Sequence, residues 1–447
     1  MKRVSGTEQP YIPLGIFKLR IPFIHYKFEI PEAAQAILMC ATCLGAIPVL
    51  EEYLGLPYEL AWSMVIINGV LYFLHATLGD PVVPGWITPA IPLVLAYLGN
   101  YTLGEERIHA LIAVQLLVGI IFLLMGATGL ANKLMKIIPI SIQAGILLGA
   151  GFSAVMTEFS VGGRFGLYPI SITISGFLAY FLLFSSVFAS LRKKYKLINS
   201  IGKFGMLPAI LLGIIIGPIC QEIAAPQVEI GTFIFAPKIK EVIETVSPLS
   251  IGWPSAQMFL TAMPMAIMCY IIAFGDFVTA GALLEESNNI RTDEVIDFNP
   301  SRSNLISALR NILMAIICPF TQLCGPLWAA VTASVSQRYK EGRSAMDSIF
   351  GGVGTFRLMT AICVAIIPIV TLVRPVLPIA LSITLLVQGF ICTNLAMKMC
   401  KTDTDKGIAG VMGAVLTMKG AAWGLAVGII LYLLLSFNPY EKKPNHI

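Results

Sequence analysis

Asp276 is the residue whose setting most clearly asks for chemistry. It stands in MPMAIMCYIIAFGDFVTAGALL, with some 18 mostly apolar residues before it and eight non-ionic residues after it. A carboxylate at the centre of a membrane-spanning helix costs about 2.5 to 3.5 kcal/mol on insertion scales, so it should face a polar cavity or a partner. That position suits a proton acceptor or a cation ligand, and the plainer alternative is a hydrogen bond that pins the helix to its neighbours. Thr279 lies one turn further on the same face, and Gly275 and Gly281 permit close backbone approach.

A second kind of chemistry needs no charged side chain. The runs 86–98 and 326–337 are apolar but too short to cross a bilayer as plain helices, and they follow GDPVVPGWITPAIPLVL after Leu78 and CPFTQLCGPLWAAV from Cys318. Short, Pro/Gly-interrupted segments at matching places in two halves point to a transporter site near the midplane. Thr88, Pro89 and Ala90 are expected to face Gly325, Pro326 and Leu327. Helix N-termini at that depth present backbone N–H groups and a positive dipole end to a negative or electron-rich ligand. Gly325 and Thr88 would then let a ligand approach the backbone, with Thr321, Gln322 and Trp328 adding hydrogen bonds or an aromatic wall. Among the remaining polar residues, Arg310 is close enough to a polar linker to snorkel, Asp80 would cap or brace its loop, and His75 would bond within a helix.

The elements that carry these residues are membrane spans. Hydrophobic residues make up 57% of the 447, charged ones 12%, and the mean hydropathy is +0.82, far too apolar for a soluble surface. Apolar runs between Gly, Pro and charge clusters predict about 14 segments. They lie near 31–50, 60–78, 86–98, 108–130, 139–157, 167–190 and 205–220, then 256–284, 303–318, 326–337, 356–373, 376–397, 406–418 and 420–437. With both termini cytoplasmic, Lys133/Lys136, Arg192 to Lys196, Arg338/Lys340/Arg343, Lys398/Lys401 and Lys442/Lys443 fall inside. The other side receives only Arg107, Arg164, Lys238, Lys240, Arg374 and Lys419 of the 30 basic residues. Pro89 and Pro326 are 237 residues apart, and the same offset carries Pro139 to the Pro375/Pro378 pair, as two inverted repeats of seven would require.

Several function classes drop out. No H-E-x-x-H, P-loop or G-x-S-x-G run is present, so neither an enzyme nor an ATP-driven pump is expected. Nine scattered cysteines serve as small apolar residues, and the Cys40/Cys43 pair lacks further ligands for a metal. No cofactor is expected beyond a coupling ion, H⁺ or Na⁺. Basic residues do not alternate with stacking aromatics, which argues against nucleic acid. Neither a signal peptide nor a cleavage site is legible near Lys2, Arg3, Lys18, Arg20 and Lys27.

The seven-plus-seven pattern resembles the inverted-repeat fold shared by the uracil/xanthine/ascorbate permeases and the sulfate permease (SulP) family, over about 31–437. The resemblance implies an all-α polytopic protein with half-helices in segments 3 and 10. Residues 30–135 and 256–374 would form a core, and 136–221 and 375–437 a gate. An N-terminal segment 1–29, an outer linker 222–255 and a tail 438–447 complete the chain. It implies a homodimer in lipid, an elevator mechanism, and an acid on the eighth span that contacts solute or couples protons, which is Asp276 here. The run IPISIQAGILLGAGFSAV resembles the Pro-led fifth span of those permeases. Two departures stand out: Gly325-Pro326-Leu327-Trp328 lacks the glutamate typical of nucleobase permeases, and no STAS domain is expected past Ile447. The expected function is secondary transport of a small anionic or polar organic solute across a plasma (bacterial inner) membrane. A nucleobase-type proton symporter and a channel-like anion pathway remain alternatives.

Overall fold

The computed structural model describes residues 3–130, 138–202 and 206–436. The predicted inside charges Lys2, Lys133, Lys136, Lys442 and Lys443, the boundary at 135/136 and the tail 438–447 lie outside the described residues. The chain is mostly helical, 71%, with two small antiparallel sheets that the all-α expectation omits.

A hairpin of β1 (Ile12–Leu14) and β2 (Phe17–Leu19) precedes the spans. The first half continues with α1 (Ile30–Leu44), α2 (Ala46–Leu54), α3 (Tyr58–Tyr72), α4 (Leu74–Thr77), β3 (Gly85–Trp86), a 3-10 turn (Thr88–Ala90), α5 (Ile91–Leu98) and α6 (Glu105–Thr128). Then come α7 (Ile140–Phe159), α8 (Arg164–Leu167), α9 (Pro169–Phe184), α10 (Ser186–Lys194), α11 (Lys196–Gly202) and α12 (Leu207–Ile219), with α13 (Ile239–Val246) and α14 (Pro248–Ile251) in the linker. The second half holds α15 (Ala256–Ile290), α16 (Pro300–Ile317), β4 (Cys324–Gly325), α17 (Ala329–Lys340), α18 (Ile349–Cys363), α19 (Ile367–Val373), α20 (Leu377–Met399), α21 (Asp403–Lys419) and α22 (Ala421–Leu435). Prolines open many of these helices, where a missing N–H costs nothing. Gly55 and Gly129 close α2 and α6 with φ of 70° and 66°, a conformation that favours glycine.

Among the described residues, five helices are long and apolar enough to cross a membrane, and two bent pairs pass together, at 42° within Ile30–Leu54 and 62° at Ser185. The largest change from the predicted boundaries is in the second half. The expected span 356–373 is divided: Ile349–Cys363 is its own helix, and Ile367–Met399 runs on as a single 33-residue span. The Gly351-Gly352-Val353-Gly354 run, which the predicted span left out, is helix interior. A Cβ on Gly352 would meet Val335 at 2.6 Å, and one on Gly351 would meet the Lys27 carbonyl at 3.0 Å, so the glycines allow close packing.

Packing sorts the helices into two groups. In the first, α6 packs on α15 and α16, α18 on α1, α3 and α17, and α15 on α17. In the second, α7 packs on α20, α21 and α22, and α9 on α12 and α20. Contacts of α5 with α7 and of α15 with α22 join the two.

Residues 3–29 are a docked cap on the first group, where a plain cytoplasmic segment was expected. Backbone N–H groups of Lys18 and Arg20 donate to the carbonyls of Leu78 and Thr77 at 3.1 and 2.8 Å. Lys18 pairs with Glu8 and Asp297, each at 2.6 Å, and Arg3 with Asp293 at 2.6 Å and Glu294 at 2.9 Å. The Arg20 guanidinium lies 3.9 Å from the centre of the Phe350 ring. Asp293 is held below the usual carboxylate range, first by the hydrogen bond from Arg291 and then, against partial burial, by the charges of Arg291 and Arg3. A carboxyl lowered on folding contributes stability above its unfolded value and loses it as the pH falls through the folded one. Amide protection at residues 3–29, taken relative to the intrinsic exchange rate at each pH, should therefore fall as the pH drops through and below about 4, and Asp293→Asn should show the lower protection already at neutral pH. Protection unchanged by the substitution would assign the docking to other contacts.

Candidate functional site

The two broken segments meet as strands. Gly85 pairs with Gly325 and Trp86 with Cys324, the Ile87 N–H donates to the Leu323 carbonyl at 2.9 Å, and the Trp328 N–H donates to the Val83 carbonyl at 2.6 Å. The partner of Gly325 is thus Gly85, and not the Thr88-Pro89-Ala90 triplet expected from the sequence. That triplet forms the tight turn leading into α5.

This register changes the role of Gly325. A Cβ there would lie 2.9 Å from the Trp86 carbonyl carbon and the Ile87 nitrogen, and one on Gly85 would lie 2.6 Å from the Leu327 oxygen. Both glycines let strand approach strand, where the sequence suggested an approach of ligand to backbone.

Side chains close the rest of the crossing. Asn311 on α16 grips Cys324 from both sides: its Nδ2 donates to the Cys324 carbonyl at 2.9 Å, and its Oδ1 accepts from the Cys324 N–H at 3.0 Å. Arg310 is wholly buried, contrary to the snorkelling expected of it. Its Nη1 donates to the Gly325 carbonyl at 3.2 Å and to His75 Nε2 at 3.1 Å. Because a guanidinium only donates, His75 Nε2 must accept and Nδ1 must carry the proton. That proton is directed to Asp80 Oδ2 at 2.8 Å, which also accepts from Ser303 Oγ at 2.5 Å. Asp80 and His75 therefore brace the crossing from α4 and its loop.

Pro326 and Leu327 are buried behind the crossing, and Thr321 Oγ1 donates to Gln322 Oε1 at 2.8 Å, so this pair is also turned inward. Trp328 is half-buried at the start of α17, edge-on to Phe356 at 5.8 Å. Asp276 and Thr279 lie on α15, which packs on α17, on α5 and on the 3-10 turn Thr88–Ala90. Asp276 is partly accessible and makes no hydrogen bond to a described residue. Thr279 is exposed and donates to the Gly275 carbonyl at 3.0 Å, and the space where Gly275 would carry a Cβ is open. The face bearing Asp276 is thus the open one. A cleft of about 290 Å³ separates α5 and α15 from the second group, lined by Tyr97, Asn100, Ser153, Met265 and Lys419. A larger groove of about 580 Å³ lies within the second group and is lined by apolar residues such as Phe152 and Phe390, away from this chemistry.

Sequence reasoning missed Arg357, Tyr72 and Asn311. Arg357 sits mid-helix in α18, 1% exposed, and both its guanidinium carbon and that of Arg310 lie 4.1 Å from the centre of the Tyr72 ring. Its signal was present, a lone arginine inside IFGGVGTFRLMTAIC, but opening the span at 356 left it at a helix end. No group of three or more His, Cys, Asp or Glu among the described residues would hold a metal.

The model of the Permease family matches residues 33–294, more than half of the chain. The chain belongs to the Permease family. This permease is similar in fold to the transmembrane domain of the cyanobacterium bicarbonate transporter BicA, at 12% identity, covering 90% of this chain and 94% of that one with a TM-score of 0.50. SLC26A9 is similar at 15% identity, over 91% of this chain and 66% of that one, also at 0.50. The fold is the inverted-repeat fold of the uracil permease and SulP type that the segment pattern suggested. No curated protein sequence matches the permease.

Replacing Gly85 or Gly325 by valine should lower thermal stability by about 1 to 3 kcal/mol, the usual cost of overpacking. Thr88→Val forfeits only a 3.4 Å contact to the Trp86 carbonyl and should unfold close to the parent. A Gly325→Val protein as stable as the parent would show that the crossing yields.

Proposed function

We propose that this permease is an elevator-type secondary transporter of a small anionic or polar organic solute, coupled to H⁺ or Na⁺ through Asp276. One observation carries the reading: a carboxylate with no partner among the described residues on the open face of α15, a helix that packs on both short helices leading from the strand crossing. The start of α17 has no side-chain cap on its first amides, so its positive dipole end is available to a negative or electron-rich solute. The cyanobacterial neighbour is a bicarbonate transporter, which favours an anion over a nucleobase. The first helix group would be the moving core and the second the gate.

An ion pair joins α2, which packs on α3 and α6 and also touches α20, to the second group and bears on that motion. Arg164 is held in the second group by Glu158 and by Ser382 Oγ, the latter at 3.2 Å, and its Nη1 reaches Glu52 on α2 at 2.6 Å. Sliding of one group past the other would break the Glu52 contact and leave the Glu158 pair intact. Arg164 is buried but Glu52 is half-exposed, and a pair screened by solvent on one side is worth on the order of 1 kcal/mol, so Glu52→Gln should change the solute exchange rate up to a few-fold with little change in affinity. An identical rate would mean that this contact does not oppose the rate-limiting motion.

The coupling role has a sharper test. A carboxylate that carries the ion alternates between loaded and unloaded forms, and Asp276→Asn resembles the loaded one permanently. Exchange of labelled for unlabelled solute in proteoliposomes should survive. Accumulation driven by an imposed pH or Na⁺ gradient should vanish, since no differential ion binding remains to shift the two populations. Intact uphill uptake in the Asn protein would sink the coupling role and leave Asp276 a structural residue.

A further inference from the structure

Around the Tyr72 ring, the buried charges of the described residues do not balance. Arg310, Arg357 and Asp80 are all buried there, at 0%, 1% and 0% exposure. Asp80 is engaged by His75 and Ser303 and reaches Arg310 only through the imidazole. The ionisable groups acting most strongly on Arg357 are Tyr72, Cys43 and Arg310, none of them a carboxylate. Its Nε, Nη1 and Nη2, together with Nε and Nη2 of Arg310, have no oxygen or nitrogen acceptor among the described residues. The Tyr72 ring face offers each cation some compensation, and the adjacent thiols of Cys43 and Cys324 are weak acceptors. Neither replaces a counter-charge, and buried charges are paired or ligated as a rule.

Position adds to the imbalance. Both guanidinium carbons sit at the same distance from one ring centre, so they are no farther apart than twice that distance and repel each other. Trp328, which begins α17, has its ring 5.1 Å from the Arg357 guanidinium, so the uncapped positive end of that helix adds to the same region. With two arginines against one aspartate, the local excess among the described residues is a single positive charge, and the burial of all three side chains excludes any large counter-charge.

We propose that Arg357, backed by Arg310 across the Tyr72 ring, holds a small monovalent anion of about halide size as a resident of the first helix group. This site is separate from the accessible face of Asp276 and does not depend on which solute the permease carries. The anion would neutralise the excess charge beneath the strand crossing and, because Arg310 also holds the Gly325 carbonyl, would help keep that crossing in place.

The test compares purified full-length protein in chloride and in gluconate at equal ionic strength and pH. Wild type should melt several degrees higher in chloride, since an ion that binds only the folded state raises its stability by mass action. Asp276→Asn should keep this difference and Arg357→Met should lose it. Anomalous diffraction from wild-type crystals grown in bromide should place a peak within hydrogen-bonding reach of the Arg357 guanidinium, which decides the matter even if Arg357→Met does not fold. The proposal is overturned by equal melting in the two salts with no such peak, or by a chloride effect that survives in Arg357→Met. A chloride effect abolished by Asp276→Asn, or a bromide peak found only beside Asp276, would assign the ion to the solute pathway and overturn the resident site while leaving the transport reading intact.

Discussion

Hydrocarbon leaves no solvent for a stray backbone amide, and this constraint organises the centre of the permease. Helices satisfy their own amides, but the chain abandons helix at 79–87 and again at 318–328, deep in the apolar region. Irregular backbone at that depth is tolerated only when protein covers it. Here the two breaks cover each other through the Gly85–Gly325 and Trp86–Cys324 pairs, and Asn311 and Arg310 take up carbonyls facing α16. Most of what surrounds the crossing can be read as support for it. Asp80, His75 and Ser303 orient Arg310, and Tyr72 provides a flat surface against it.

Such support brings its own burden. Each polar group brought in to satisfy the crossing must be satisfied in turn, and a guanidinium has five donors to place. The His75–Asp80–Ser303 chain uses part of that capacity, while the nearby Arg357 adds more donors without any acid. The core of the permease is therefore electropositive around the Tyr72 ring, and a small resident anion is its natural complement. Asp276 stands apart from this region in accessibility, on a face with open space beside Gly275.

Around that centre the two helix groups differ in what holds them. The first is tied together on one side by the docked N-terminal cap, through Arg3, Lys18 and Arg20 and their partners in the 291–299 linker and α18. The second packs through small residues: a Cβ on Gly149 would approach Leu416 at 2.8 Å, and one on Gly413 would approach Leu148 at the same distance. Glycine faces of this kind let apolar helices gain dispersion contacts in a medium where the hydrophobic effect between them is absent. Fewer contacts run between the groups than within them, and a single ion pair at Glu52 is among those that do.

Much of this was legible without coordinates, because the bilayer imposes strong local rules. Span length, the cost of a buried carboxylate and the failure of Pro/Gly-rich runs to form full helices are all properties of a few adjacent residues. They sufficed to single out Asp276, both broken segments, the membrane setting and the resemblance to the permease fold. Pairing was another matter. A strand register is a relation between residues some 240 positions apart, and nothing local told Gly325 to face Gly85 and leave Thr88 in the turn. Glycine-rich 351–354 illustrates the same limit, since glycine marks a break in one context and a close helix contact in another, and only the neighbours Val335 and Lys27 decide which. That choice placed Arg357 in the middle of a helix. Whether an arginine snorkels or is buried depends on what packs over it, and for Arg310 and Arg357 the answer came from Tyr72, a residue whose own sequence context is an ordinary apolar helix.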